Sequence, residues 1–61
     1  GLQLLVRWPS GKQLQIAYSK DGNITGATFE FDKAGTYTIS IVAMDESCNY
    51  TTKEYKVVVG G

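Results

Sequence analysis

Histidine is absent from this sequence of 61 residues, and cysteine occurs once, at Cys48. A single cysteine cannot close an internal disulfide, so the fold is not that of a disulfide-stapled mini-protein. Without histidine the commonest general base and metal ligand is missing. This excludes a zinc site of the usual kind, a Ser-His-Asp triad and a Cys-His dyad within these residues. We therefore expect no enzymatic activity and no metal or other cofactor.

An excess of one charge and a long apolar run are also missing. Six basic residues balance six acidic ones, whereas a nucleic-acid-binding domain of this size normally carries a basic stripe. No apolar run approaches the roughly 18 residues that suggest a membrane-spanning helix. We therefore expect neither nucleic-acid binding nor a membrane-spanning segment. Since no signal peptide is present, we expect a mature or excised piece of a protein.

Residues typical of β-strands are abundant. Val, Ile, Thr, Tyr, Phe and Trp make up 22 of the 61 residues, and apolar and polar residues alternate repeatedly. The alternation predicts five strands, at residues 2–8, 13–18, 27–32, 36–43 and 52–59. In the second of these, Leu14, Ile16 and Tyr18 alternate with polar or small residues and are expected to share one face, with Leu14 and Ile16 directed inward. The connections are too short for crossover helices, which favours an antiparallel β-sandwich.

Three segments together resemble the immunoglobulin-like modules of bacterial secreted and cell-surface proteins. Pro9-Ser10-Gly11-Lys12 resembles their P-S/D-G-K hairpin, and FDKAGTYTI at 31–39 resembles their F-x-x-x-G-x-Y-x-V/I run. AMDESCNYTT at 43–52 resembles their A-x-D-x-x-G-N-x-T-T run, which a strand ending in V-x-V follows. The resemblance covers most of residues 4–59 and implies an immunoglobulin-like or PKD-like β-sandwich.

The resemblance also implies structural roles for particular residues. Asp32 and Gly35 form the corner before the fourth predicted strand, and Tyr37 is expected to direct its hydroxyl back to that corner. Asp45 is expected to hydrogen-bond loop amides near Asn49. Members of the family usually have glycine where Cys48 stands, so either Cys48 or Asn49 takes the left-handed conformation.

The length of the sequence bears on whether these residues make a complete domain. A full sandwich of this class has about seven strands and ~100 residues. Residues 1–61 are therefore expected to form one domain that is either a reduced sandwich or the C-terminal part of one, truncated at the N-terminus. The first strand, or the sheet that carries it, is expected to be incompletely covered. The chain is then expected either to associate with another chain through an unpaired first-strand edge or to gain stability when preceding residues are restored.

Two functions remain open at this point. The resemblance implies a non-catalytic spacer, structural or adhesion module of a bacterial extracellular or surface protein, whose partners are neighbouring domains. The alternative is a carbohydrate- or protein-binding module that uses Trp8, Arg7, Tyr18 and Tyr55. Trp8 also continues the apolar face of the first strand, which favours a core position, and its exposure discriminates between the two functions. Asn23 and Asn49 each begin an Asn-x-Thr glycosylation pattern, for which chance or the family motif is sufficient explanation.

Overall fold

Residues 1–60 are described by a computed structural model, and they form four β-strands. These are β1 (Leu2–Arg7), β2 (Gln13–Ser19), β3 (Gly35–Met44) and β4 (Tyr50–Val59). They make one antiparallel sheet in the order β2-β1-β3-β4. The prediction of an all-β chain is therefore confirmed. In the described part of the chain, no helix has the length and apolar character to cross a membrane.

The third predicted strand, at residues 27–32, is wrong. This stretch belongs to an irregular connection between β2 and β3. The Trp8 indole N–H donates to the Glu30 carbonyl at 3.1 Å. The backbone of this stretch therefore packs on the sheet and does not add a strand to it. Phe29 and Phe31 supply apolar side chains to the same end of the sheet without a strand ladder. Their alternation correctly indicated that Phe29 packs against the core, but Phe31 stays 46% exposed and the backbone is not a strand.

The prediction that the first strand is an exposed edge is also wrong. β1 lies inside the sheet, where Leu4 pairs with Ala17 of β2 on one side and with Ile41 of β3 on the other. A strand as apolar as β1 is better placed between two neighbours, while charged residues suit an edge. The edges of the sheet are β2 and β4.

A bulge in β2 changes which face its last residues occupy. Leu4 pairs with Ala17 and Leu5 pairs with Gln15, so Ile16 is an extra residue in the ladder. Beyond the bulge Tyr18 pairs with Gln3. Tyr18 therefore lies on the opposite face from Leu14 and Ile16, and the prediction that the three share one face is wrong.

One face of the sheet carries the core, and we call it the inner face. Most of it is made by alternate residues of three strands: Leu2, Leu4 and Val6 of β1, Tyr37, Ile39 and Ile41 of β3, and Tyr55, Val57 and Val59 of β4. Ile16 of β2 packs against the same core. Val6, Tyr37 and Trp8 are buried at one end of it. At the other end Leu2, Leu4 and Ile41 are half-buried. The described residues thus supply one sheet with a partly covered apolar face.

Candidate functional site

Four aromatic rings pack together at the covered end of the inner face, and we call them the aromatic cluster. They are Trp8, Phe29, Phe31 and Tyr37. The ring centroids of Phe31 and Tyr37 lie 4.8 Å apart, and those of Trp8 and Phe29 lie 6.1 Å apart. All the contacts are edge-to-face, which suits the quadrupoles of aromatic rings. These contacts hold the irregular connection between β2 and β3 against the sheet.

Trp8 belongs to this core. Its side chain is 8% exposed, and its indole N–H is satisfied by the Glu30 carbonyl at 3.1 Å. The Lys12 ammonium lies 5.0 Å from the ring centroid, within the range of a cation–π contact. A ring held in this way cannot stack on a sugar unless the cluster opens. Of the two interpretations of Trp8, its burial favours the core anchor and disfavours the ligand platform.

Tyr37 has the geometry expected of a tyrosine corner. The ring is fully buried, and its hydroxyl donates to the Lys33 carbonyl at 2.7 Å and accepts from the Lys33 amide at 3.0 Å. A carboxylate oxygen of Asp32 lies 3.1 Å from the same hydroxyl. One side chain therefore satisfies both backbone groups of a residue in the corner, which fixes the chain where it enters β3.

Gly35 begins β3 in a conformation that side chains rarely adopt. Its φ is +141°, and a Cβ atom built on it would lie 2.6 Å from Cγ and 2.8 Å from Cβ of Pro9. The first hairpin turn therefore packs directly on the backbone at the corner. The sequence indicated that Gly35 lies in the corner, but its contact with Pro9 depends on the order of the strands.

The other candidate binding residues do not lie together: Arg7 and Tyr18 occupy opposite ends of the β1–β2 ladder on the outer face, and Tyr55 lies on the inner face. Arg7 is exposed, and its guanidinium donates to the Gln13 side chain at 3.5 Å. Tyr18 is 56% exposed and lies on the outer face, whereas Tyr55 is 51% exposed and pairs with Ile39 on the inner face. With Trp8 in the core, these residues form no common aromatic strip.

The two hairpins have the same loop geometry. In the first, the Trp8 amide donates to the Lys12 carbonyl and Gly11, at φ +96°, donates to the Trp8 carbonyl. In the second, the Asp45 amide donates to the Asn49 carbonyl and Cys48, at φ +64°, donates to the Asp45 carbonyl. Both are three-residue loops whose last residue is left-handed, where glycine is usual. Cys48 rather than Asn49 is thus the left-handed residue.

Asp45 holds the second loop together. One carboxylate oxygen accepts the Ser47 amide at 2.9 Å and the Asn49 amide at 3.0 Å, and the other accepts from the Asn49 side chain at 3.5 Å. The Asn49 amide bond is the main reason that the pKa of Asp45 is lowered. The carboxylate is therefore engaged by its own loop. No group of three or more His, Cys, Asp or Glu side chains comes together within residues 1–60.

Sequence reasoning missed the backbone of the 27–32 segment as a partner of Trp8. A buried indole needs an acceptor for its N–H, so a Trp at the end of an apolar strand does signal that some carbonyl must approach. The signal does not say which carbonyl, because Glu30 is 22 positions away along the chain.

Comparisons of this chain with protein-family models, with curated proteins and with solved structures find no match. The surface of the described residues also has no detectable pocket. The features of residues 1–60 that bear on function are the sheet, its aromatic cluster and its edges.

Proposed function

We propose that the chain is a non-catalytic, immunoglobulin-like module of a bacterial extracellular or cell-surface protein. Its role in that protein is to space, orient or stiffen the neighbouring domains, including domains that adhere to other surfaces. The observation that carries the proposal is the order of the strands, taken together with the positions of Trp8 and Tyr37.

Immunoglobulin-type sandwiches contain a sheet in which strands follow the order C′-C-F-G. A buried tryptophan belongs to strand C, and a tyrosine corner lies near the start of strand F. The order β2-β1-β3-β4 corresponds to this pattern, with β1 as strand C and β3 as strand F. Trp8 directly follows β1, Tyr37 is near the start of β3, and their ring centroids are 6.4 Å apart. Trp8 at the end of β1 and Tyr37 within β3 therefore support the proposed correspondence with strands C and F.

The inner face suits one half of a sandwich. Its aromatic end is covered by the connection between β2 and β3, while Leu2, Leu4 and Ile41 at the other end keep part of their surface in water. In a sandwich the two sheets pack about 10 Å apart, with apolar side chains between them. We infer that further strands of a larger polypeptide cover this end of the inner face.

A spacer role suits the shape and the charge of the sheet. The chain measures 42 × 21 × 15 Å, so it can hold its neighbours tens of ångströms apart. Its formal net charge is zero, which avoids strong attraction to charged surfaces. The alternative, a binding module, needs an exposed aromatic surface. The burial of Trp8 and the separation of Tyr18 from Tyr55 do not support one.

Replacement of the module inside its parent polypeptide tests the spacer role. One variant replaces residues 1–61 with a flexible Gly/Ser linker of the same length, and a second replaces them with an unrelated rigid β-sandwich of similar length. The proposal predicts that the linker impairs the activity or reach of the neighbouring domains and that the unrelated sandwich restores it. If the unrelated sandwich fails as the linker does, the module contributes a specific surface and the spacer role is wrong.

A further inference from the structure

We propose that the free edge of β4 pairs with β4 of a second copy of the chain. The two strands run antiparallel and are centred on Tyr55, so the two sheets join into one. The occupant of this edge is thus a second copy rather than an unrelated peptide.

The two edges of the sheet differ in how well they are protected. β2 has seven residues and a bulge, and a bulge interrupts a ladder and twists an edge away from other strands. β4 has ten residues and pairs with β3 without a register shift from Tyr50 to Val59. It also contains no proline. β4 also carries Lys53, Glu54 and Lys56, and such charges disfavour an incoming strand that does not match them. β4 is therefore a long, regular edge that accepts a strand of complementary charge.

The hydrogen bonds at the end of the hairpin show which backbone groups of β4 point outwards. The Asp45 amide donates to the Asn49 carbonyl, so residues 45 and 49 form a hydrogen-bonded pair on the β4 side of the hairpin. The next residue, Met44, directs its N–H and C=O groups the other way and exchanges both hydrogen bonds with Gly1, on the β1 side. Hydrogen-bonded and non-hydrogen-bonded pairs alternate in an antiparallel ladder. Even-numbered residues of β4, from Tyr50 to Val58, consequently direct their N–H and C=O groups away from β3. A second strand must pair through these even-numbered residues.

The charges on β4 select the register. Among two-fold registers that use the even-numbered residues, a centre at Glu54 sets Glu54 against itself, and a centre at Lys56 sets Lys56 against itself. A centre at Tyr55 instead sets Glu54 of each copy opposite Lys56 of the other. Opposite charges directly across a ladder stabilise it and like charges destabilise it. The sequence of β4 is therefore self-complementary in one central register.

The side chains concerned are available for this pairing. Glu54 and Lys56 are exposed, and their cross-strand neighbours on β3 are the uncharged residues Ser40 and Thr38. Tyr55 is 51% exposed, and in the proposed register it lies beside its own counterpart on the inner face. Val58, which is 78% exposed, comes opposite Thr52 of the second copy. The register covers residues 51–59 of both strands.

The resulting dimer has eight strands in one continuous sheet, with the inner faces of both copies on the same side. The contact is a single strand pair, which places it in the class of small, weak interfaces. We therefore expect a dissociation constant between about 10 μM and 1 mM. Sedimentation equilibrium of the isolated chain, extended to about 1 mM, covers that range.

Charge reversals test the register. Glu54→Lys and Lys56→Glu each create two like-charge pairs, so each is expected to weaken dimerisation about tenfold or more. The double variant restores two opposite-charge pairs and is expected to dimerise as the wild type does. Glu46→Lys, in the turn before β4, makes the same change of charge outside the paired region and serves as the control. Circular dichroism checks that each variant retains the sheet.

An engineered disulfide between the two copies of residue 55 directly tests whether the paired strands are centred on Tyr55. In a Cys48→Ser background, Tyr55→Cys places two thiols across a non-hydrogen-bonded pair, where Cα atoms are about 4.5 Å apart and a disulfide fits. Glu54→Cys in the same background does not bring its thiols together in this register. Preferential oxidation of the Tyr55→Cys variant to a covalent dimer supports the proposal. A chain that stays monomeric at about 1 mM, a dimer unaffected by the single charge reversals, or equal cross-linking at both positions overturns it.

Discussion

Replacement of Tyr37 by phenylalanine tests the corner that joins the irregular connection to β3. The substitution removes one oxygen atom and keeps the buried ring in its contacts with Phe31 and Trp8. Lys33 then loses the partner of its amide, at 3.0 Å, and the partner of its carbonyl, at 2.7 Å. The change therefore isolates the hydrogen bonds from the packing.

The expected cost follows from the burial of these groups. A buried donor or acceptor left without a partner costs about 1–3 kcal/mol. Because the Lys33 side of the corner is exposed, water can reach part of it, and the lower part of that range, about 1–2 kcal/mol, is expected. In a chain of this length such a loss lowers the melting temperature by about 5–15 °C.

Thermal unfolding followed by circular dichroism measures the effect, with Tyr50→Phe as the matched control. Tyr50 is 69% exposed, so the loss of its hydroxyl is expected to change stability by less than about 0.5 kcal/mol. If Tyr37→Phe and Tyr50→Phe melt at the same temperature, the Tyr37 hydroxyl does not anchor the corner and the reasoning is refuted.

The remaining predictions concern the backbone and the acid dependence of the loops. Cys48→Gly is expected to stabilise the chain by about 0.5–1 kcal/mol in denaturant titrations, because it relieves a left-handed side chain, whereas equal stability would contradict the hairpin geometry. Gly35→Ala is expected to cost about 2–4 kcal/mol, because its Cβ meets Pro9 and its φ of +141° is unfavourable for a side chain. Gly26→Ala, at φ +70° with open space around it, shows the cost of a positive φ without a clash and is expected to lose less stability; equal losses would refute the clash. Because the pKa of Asp45 is lowered in the folded chain, its carboxylate stabilises the fold at pH values above the ordinary carboxyl pKa. This stabilisation is lost as the pH falls through the lowered pKa. Asp45→Ala should therefore melt lower than the wild type at pH 7 and like it near about pH 2, and a pH-independent difference would exclude the carboxylate as the cause.

Local features of the fold could be predicted from the sequence. The alternation from Thr36 to Ala43 indicates a strand with one apolar face, and the spacing of Gly35 and Tyr37 indicates the corner that the hydroxyl contacts show. These signals are short-range, because strand period and turn chemistry depend on neighbouring residues.

Features that depend on distant contacts could not be predicted in the same way. The bulge at Ile16 appears only when β2 pairs with β1, and it moves Tyr18 to the other face. Phe29 and Phe31 alternate as a strand does, yet the carbonyl between them accepts the Trp8 indole N–H. The candidate binding surface depended on Trp8 and Tyr18, so the unpredicted contact of Trp8 with Glu30 and the unpredicted bulge before Tyr18 together remove the aromatic strip.

The central claim is that the chain crosses from β2 over β1 to β3, as in an immunoglobulin-type sheet. Nuclear Overhauser effects between Hα atoms test it directly, since Hα atoms approach closely in non-hydrogen-bonded antiparallel pairs. The account predicts a strong effect between Leu4 and Ile41, which pair across β1 and β3. Absence of that effect, with contacts between β2 and β3 in its place, would indicate a simple meander and contradict the immunoglobulin-like assignment.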